Sequence, residues 1–144
     1  ARLLSSRDGG LTWRADSTPF VRGAVAGMTG IVFATPQRAV AVASDINALR
    51  TDTSSRVIGI TEDAGMSWRL LPRPPQPGAL VGAAWVPAHG DRIIVVASYG
   101  GASYSTDAGQ SWTRITDQVT TSVATVGRTA VLVGGNGRIW RIEF

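Results

Sequence analysis

The sequence has no cysteine, no lysine and a single histidine, His89. Without cysteine there are no disulfides, thiolate zinc sites, iron–sulfur clusters or cysteine nucleophiles, and the redox compartment stays open. With one histidine, any mechanism that needs a histidine pair or a histidine-rich metal site is excluded. Glutamate is nearly absent too: only Glu62 and Glu143 occur. No run free of charged, His, Asn and Gln residues is longer than Gly23 to Pro36, too short for a membrane-spanning helix. No secretory leader is visible, although residue 1 is Ala rather than Met.

All 14 basic residues are arginine, and the net charge of +4 is spread along the chain. Nucleic-acid binders cluster their basic residues on one element, so no nucleic-acid partner is expected. The absence of lysine reads first as genome composition and second as recognition by rigid guanidinium forks. At 144 residues, with 44% hydrophobic and 17% charged residues, the chain is long enough and apolar enough to bury a core as one domain.

One eight-residue pattern occurs three times: Ser6-Arg7-Asp8-Gly9-Gly10-Leu11-Thr12-Trp13, Thr61-Glu62-Asp63-Ala64-Gly65-Met66-Ser67-Trp68 and Ser105-Thr106-Asp107-Ala108-Gly109-Gln110-Ser111-Trp112. The shared form is Ser/Thr-x-Asp-x-Gly-x-Ser/Thr-Trp. An Asp carboxylate accepts hydrogen bonds from backbone N–H groups just downstream and closes a turn. The Gly two residues later suits a positive φ. The Trp supplies apolar area to pack on a neighbouring unit. Asp8, Gly10, Trp13, Asp63, Gly65, Trp68, Asp107, Gly109 and Trp112 are therefore read as structural. A catalytic or metal-binding use of the three Asp residues is the weaker reading, because each carboxylate is needed by its own turn.

The pattern resembles the Asp-box, or BNR, repeat of β-propellers, found in sialidases, sortilin-type receptors and the photosystem II stability and assembly factor family. The segments between boxes read as short strands bounded by Pro, Asp and Gly. Strands are predicted at 31–35, 38–44, 56–61 and 66–71, and again at 81–86, 92–98, 102–105 and 110–115. Three more follow at 122–126, 130–133 and 138–144. No stretch carries a helical period with caps. The expected fold is all-β, a partial propeller of four-stranded antiparallel blades. It divides into a partial blade at 1–20, blades at 28–72 and 79–116, and a last blade at 120–144 without its fourth strand. Because closed propellers carry 4–8 blades, this arrangement is expected to be the C-terminal part of a six- or seven-bladed ring. The alternative is a stand-alone module whose open edges are covered by another protein or copy.

The boxes and His89 are expected on one face of the propeller. The loops 45–55, 14–27, 71–79 and 98–100 are expected on the other. The insertion Asp45 to Ser55 accounts for most of the difference between the two box spacings, and insertions on one face are where propellers place binding. Candidate partner-binding residues on that face are Arg22, Asp45, Arg50, Arg73 and Tyr99. Arg and Tyr are favoured interface anchors. Pro72 to Pro77 is read as an extended connector between blades. His89, in the turn Pro87 to Asp91, is read as solvated. Gly134 to Gly137 is read as a hairpin turn, because it lacks the Lys-Ser/Thr and the helix of a phosphate loop.

A sialidase-like enzyme, by resemblance, needs three substrate-binding arginines, an acid–base Asp and a Tyr–Glu pair. With two tyrosines, Tyr99 and Tyr104, with Glu62 inside a box and with no Arg-Ile-Pro motif, this chain does not supply them. The blade from Gly30 to Trp68 follows the order of the assembly-factor family more closely. That resemblance implies a non-catalytic, cofactor-free scaffold that binds or steadies a photosynthetic membrane-protein complex from the extracytoplasmic side. A glycan-binding or sialidase-like propeller, with catalytic residues outside this chain, is the alternative.

Overall fold

A computed structural model describes residues 1–90 and 92–144. The fold is all-β, as the repeat implied. Among the described residues there are thirteen strands and three short 3-10 turns. Strands β1 (Arg2–Ser5) and β2 (Arg14–Ser17) form a two-stranded antiparallel sheet around the first box. Strands β3 (Ala26–Phe33), β4 (Ala39–Asp45), β5 (Ile58–Thr61) and β6 (Arg69–Leu70) form a four-stranded antiparallel sheet in sequence order. Strands β7 (Leu80–Trp85), β8 (Ile94–Ser98), β9 (Gly101–Ser105) and β10 (Thr113–Thr116) repeat that order. Strands β11 (Thr120–Val126), β12 (Thr129–Gly134) and β13 (Ile139–Glu143) form a three-stranded sheet.

The core lies between sheets, and the middle strands show why. In β4 every residue from Ala39 to Ser44 is buried, which happens only when both faces of a strand are covered. Side chains alternate between the two faces. Val40 and Val42 point into a core shared with Leu80, Trp85, Ile94 and Val96 of the next sheet. Ala41 and Ala43 point the other way, against Phe20, Met28 and Trp68. Strand β8 does the same: Ile94 and Val96 join the first core, while Val95 and Ala97 join one with Ala130 and Leu132 of the last sheet. Each buried Val, Ile or Leu contributes roughly 1.5–3 kcal/mol. Because each four-stranded sheet lends its two faces to different cores, the sheets stabilise one another in series.

Polar bonds stitch the same interfaces. Thr29 Oγ1 donates to the Leu80 carbonyl at 2.8 Å, and Trp85 Nε1 donates to the Val32 carbonyl at 3.1 Å. One sheet further on, Thr125 Oγ1 donates to the Trp85 carbonyl at 2.6 Å. Thr120 Oγ1 donates to the Gly101 carbonyl at 2.8 Å and accepts from the Ser98 N–H at 3.0 Å. Each ties the inner strand of one sheet to its neighbour.

Several sequence expectations change. The fourth strands begin later than 66 and 110, at Arg69 and Thr113, because residues 66–68 and 110–112 still belong to the box turns. His89 is not a solvated residue: its turn folds back onto the molecule, it is partly buried, and its Nε2 is enclosed without a hydrogen-bond partner among the described residues. Asp91 of that turn lies outside the described residues. The insertion after Asp45 carries a 3-10 turn, Ile46–Ala48, capped by the Asp45 carboxylate, which accepts from the Asn47 N–H at 2.9 Å.

The packing of the box tryptophans differs, and this gives a test. Trp68 meets Phe20 edge-on at 5.5 Å and 68°, and Trp112 donates from Nε1 to the Pro72 carbonyl at 2.8 Å. Trp13 is 62% exposed. Trp68→Ala and Trp112→Ala are expected to destabilise the protein by on the order of 3 kcal/mol each, and Trp13→Ala by less than about 1 kcal/mol. Denaturant titration of the three variants checks this; equal losses would contradict the interface assignment.

Candidate functional site

The three boxes adopt one hydrogen-bonded form. In each, the leading Ser or Thr hydroxyl donates to the Asp Oδ1, at 2.8 Å for Ser6, 2.8 Å for Thr61 and 2.7 Å for Ser105. The same hydroxyl accepts from the Gly N–H, at 2.7 Å for Gly10, 2.8 Å for Gly65 and 2.7 Å for Gly109. The second hydroxyl residue donates twice to the carboxylate. Its N–H reaches Oδ1 at 2.9, 2.8 and 2.9 Å, and its Oγ reaches Oδ2 at 2.6 Å in all three. Both oxygens of each Asp are thus engaged within the turn.

The backbone follows from that bonding. The Gly residues sit at φ +91°, +89° and +87°. The residue before each is also left-handed: Gly9 at +72°, Ala64 at +59° and Ala108 at +57°. The strained Ala N–H groups are used. Ala64 donates to the Gln37 carbonyl and Ala108 to the Arg92 carbonyl, both at 2.8 Å, joining each box to the hairpin turn of its own sheet. A Cβ on Gly109 would lie 2.5 Å from the Leu71 side chain, so the box also receives a residue from the preceding sheet.

The opposite face is built around the insertion. Asp52 is buried, and its carboxylate accepts from the Asp45 N–H at 3.0 Å and the Ser54 N–H at 2.8 Å. Burial alone would push its pKa up; the N–H donors and the nearby Arg73 charge outweigh that and hold it below the ordinary carboxylate range. Arg73 donates to three carbonyls, those of Ser54 at 2.7 Å, Asp52 at 2.6 Å and Gly78 at 2.7 Å, and stands 3.9 Å from the Asp52 carboxylate. Gly78 N–H bonds to the Asp52 carbonyl, Ala79 N–H to the Leu49 carbonyl and Tyr99 N–H to the Ala79 carbonyl. The insertion, the connector 72–79 and the turn at Tyr99 therefore form one continuous bonded surface.

The candidate residues separate on this surface. Arg50 and Arg22 are exposed and have no hydrogen-bonding or ionic partner among the described residues, and Tyr99 is half-buried beside the connector. The Asp45 carboxylate caps its own turn. The reading of Arg73 as an exposed contact is corrected: its guanidinium is held inside by backbone carbonyls, so it positions the loop instead of meeting solvent. Sequence reasoning did not single out Asp52 or Arg56; Asp52 carries no motif signal, and its charged partner, Arg73, lies in a separate connector. Ile46, 51% exposed, and Leu49 are exposed apolar residues of the clamped loop, and the Ile46 N–H donates to the Val25 carbonyl at 3.3 Å. Among the described residues no three His, Asp or Glu side chains gather into a metal-binding group.

The BNR/Asp-box repeat model matches residues 103–114, the third box. No curated protein matches significantly in sequence. Solved structures share the fold. The YCF48 structure bound to D1 peptide aligns with a TM-score of 0.65 at 16% identity, covering 91% of this chain and 39% of that one. The computationally designed Ika4 protein aligns at 0.58 and 14%, covering 81% and 66%. An ancestral GH74 enzyme aligns at 0.54 and 14%, covering 79% and 17%. The chain thus carries a BNR/Asp-box repeat and shares its fold with these structures, and it spans less than two thirds of the length of each of them.

The box geometry predicts an acid limb of stability. Hydrogen bonds from the second hydroxyl residue's side chain and N–H, with the first hydroxyl's, lower the pKa of Asp8, Asp63 and Asp107 from 3.8 to about 2. A carboxyl whose folded pKa is depressed contributes stability that is complete above its unfolded value and is lost as pH falls through the folded one. Melting temperature is therefore expected to fall between pH 3.8 and about 2. The double variant Asp63→Asn, Asp107→Asn is expected to melt lower at neutral pH and to show a shallower fall across that window. An unchanged slope in thermal melts followed by circular dichroism would contradict the assignment.

Proposed function

We propose that the chain is part of a non-catalytic β-propeller scaffold that binds a protein partner through the face bearing the insertion. The observation that carries this reading is the internal clamp. Asp52 and Arg73 bond the loop backbone at residues 45, 52 and 54, so the exposed Ile46, Leu49 and Arg50 stand on a pre-ordered backbone. Ordering a flexible loop on binding costs free energy, and a loop ordered beforehand avoids that cost. Apolar side chains beside an arginine on a rigid platform match the composition of interface hot spots.

Two further observations support the reading. A protein of the same fold, YCF48, has been seen with a bound peptide. Among the described carboxylates each has a partner: those of the boxes in their turns, Asp45 and Asp52 in the loop, Asp16 with Arg14, Glu62 with Arg38, Asp117 with Gln118 and Glu143 with Arg141. The carboxylates of the boxes and of the insertion are thereby committed to backbone turns and not to general acid–base work. In this proposal the partner belongs to a membrane-associated complex, a photosynthetic one by resemblance, and the scaffold meets it from the extracytoplasmic side.

The test is co-purification of the protein with its partner from the source cells. The double variant Ile46→Ser, Arg50→Ala is expected to lose the partner, while Leu11→Ser, altering an exposed residue of the first box, retains it. Retention by both variants overturns the assignment of this face. Saturable binding or hydrolysis of an acidic oligosaccharide, with no protein partner, replaces the reading with the glycan-directed one.

A further inference from the structure

A second feature lies next to the insertion face and is not explained by the fold. Arg22, on the crossing from β2 to β3, and Arg56, just before β5, line one cleft of about 430 Å³ together with Thr18, Phe20 and Val21. The Val21 N–H donates to the Arg56 carbonyl at 2.8 Å, so the two chain segments run side by side and both arginines line the same cleft. Phe20 is 1% exposed and is fixed edge-on against Trp68. A Cβ on Gly59 would lie 3.0 Å from the Phe20 ring, so β5 leaves that ring no room to shift. The cleft thus has a rigid apolar wall and two cationic groups.

Neither guanidinium has a hydrogen-bonding or ionic partner among the described residues. The nearby acids of the insertion do not supply one: Asp45 caps its turn and Asp52 is buried with its loop. Two like charges lining one cleft repel, and a shared anion converts that repulsion into attraction. The guanidinium offers planar forks of N–H donors, and a carboxylate has two oxygens with about four acceptor positions to meet them.

We propose that the cleft between Arg22 and Arg56 binds a carboxylate carried by an acidic segment of a partner polypeptide. This rests on the scaffold reading and names the chemistry of the partner. A polypeptide carboxylate is favoured over a free phosphate because the partner of a protein scaffold is a polypeptide; guanidinium forks themselves fit both anions. It is favoured over single-stranded nucleic acid because the only ring in the cleft, Phe20, is buried and offers no stacking face. Val25, three residues after Arg22, and Ile46, whose N–H donates to the Val25 carbonyl, are exposed apolar side chains that the rest of the segment would meet.

The experiment measures fluorescence anisotropy of labelled hexaglutamate against the full chain at low salt. Inorganic phosphate and a short DNA strand serve as competitors. Saturable binding is expected, weakened about tenfold or more in Arg22→Gln, Arg56→Gln, as loss of charge-assisted hydrogen bonds implies. The control Arg114→Gln, Arg138→Gln removes the same charge elsewhere and is expected to stay within about twofold. Circular dichroism confirms that each variant folds. Equal weakening in both double variants, or no saturable binding, overturns the proposal. Displacement by phosphate at equal concentration, or tighter binding of DNA with the same arginine dependence, overturns it in favour of those ligands. If hexaglutamate fails to bind while co-purification still depends on Ile46 and Arg50, the cleft assignment falls and the scaffold stands. If hexaglutamate binds in the cleft while that co-purification does not depend on Ile46 and Arg50, the insertion face falls instead.

Discussion

The architecture depends on one Ser or Thr hydroxyl and one Asp carboxylate meeting inside a turn. The hydroxyl donates to the carboxylate and accepts from the Gly N–H, and the carboxylate accepts from the next hydroxyl residue twice. Those bonds let the backbone occupy two consecutive left-handed positions, a conformation that costs roughly 1–2 kcal/mol for a residue with a Cβ. The turn so formed exposes the Ala N–H to the neighbouring hairpin and throws the Trp back over its own sheet. Local chemistry at eight residues therefore sets where a large ring lands, and the ring sets how adjacent sheets meet.

The cores between sheets follow from the same repetition. In β4 the alternation is of large against small residues, Val40 and Val42 on one face and Ala41 and Ala43 on the other. The larger side chains fill the interface with β7 and β8. The small ones leave space for Phe20 and Trp68, which arrive from the crossing and from the second box. A hydrophobic run that looks featureless is in fact matched to the two different surfaces it covers.

Much of this was legible in the sequence because the box is a local motif whose atoms lie within eight residues. What escaped depended on partners distant in sequence or on residue types with no signal. Nothing about Ala64 or Ala108 announces a positive φ, since Ala seldom adopts it; only the box bonding forces it. Arg73 looked like a surface anchor because the three carbonyls that hold it belong to residues 52, 54 and 78. Asp52 carried no motif, and its role appears only when the insertion folds back on Asp45. That Arg22 and Arg56 line one cleft follows from a backbone bond between the crossing at Val21 and the end of the loop at Arg56. On the candidate face, then, the segments could be named from the sequence, while the division between residues that hold the loop and residues that face outward needed the structure.

Native-state hydrogen exchange of the box glycine amides tests the central claim, that the hydroxyl–carboxylate turn is part of the cooperative core. The Gly65 and Gly109 N–H groups are buried and bonded to Thr61 and Ser105, whereas the Gly10 N–H makes the same bond at an exposed position. The account predicts that Gly65 and Gly109 exchange only through global unfolding, with free energies equal to that of the slowest β4 and β8 amides, and that Gly10 exchanges by local opening. Exchange at Gly65 and Gly109 as fast as at Gly10 would contradict it.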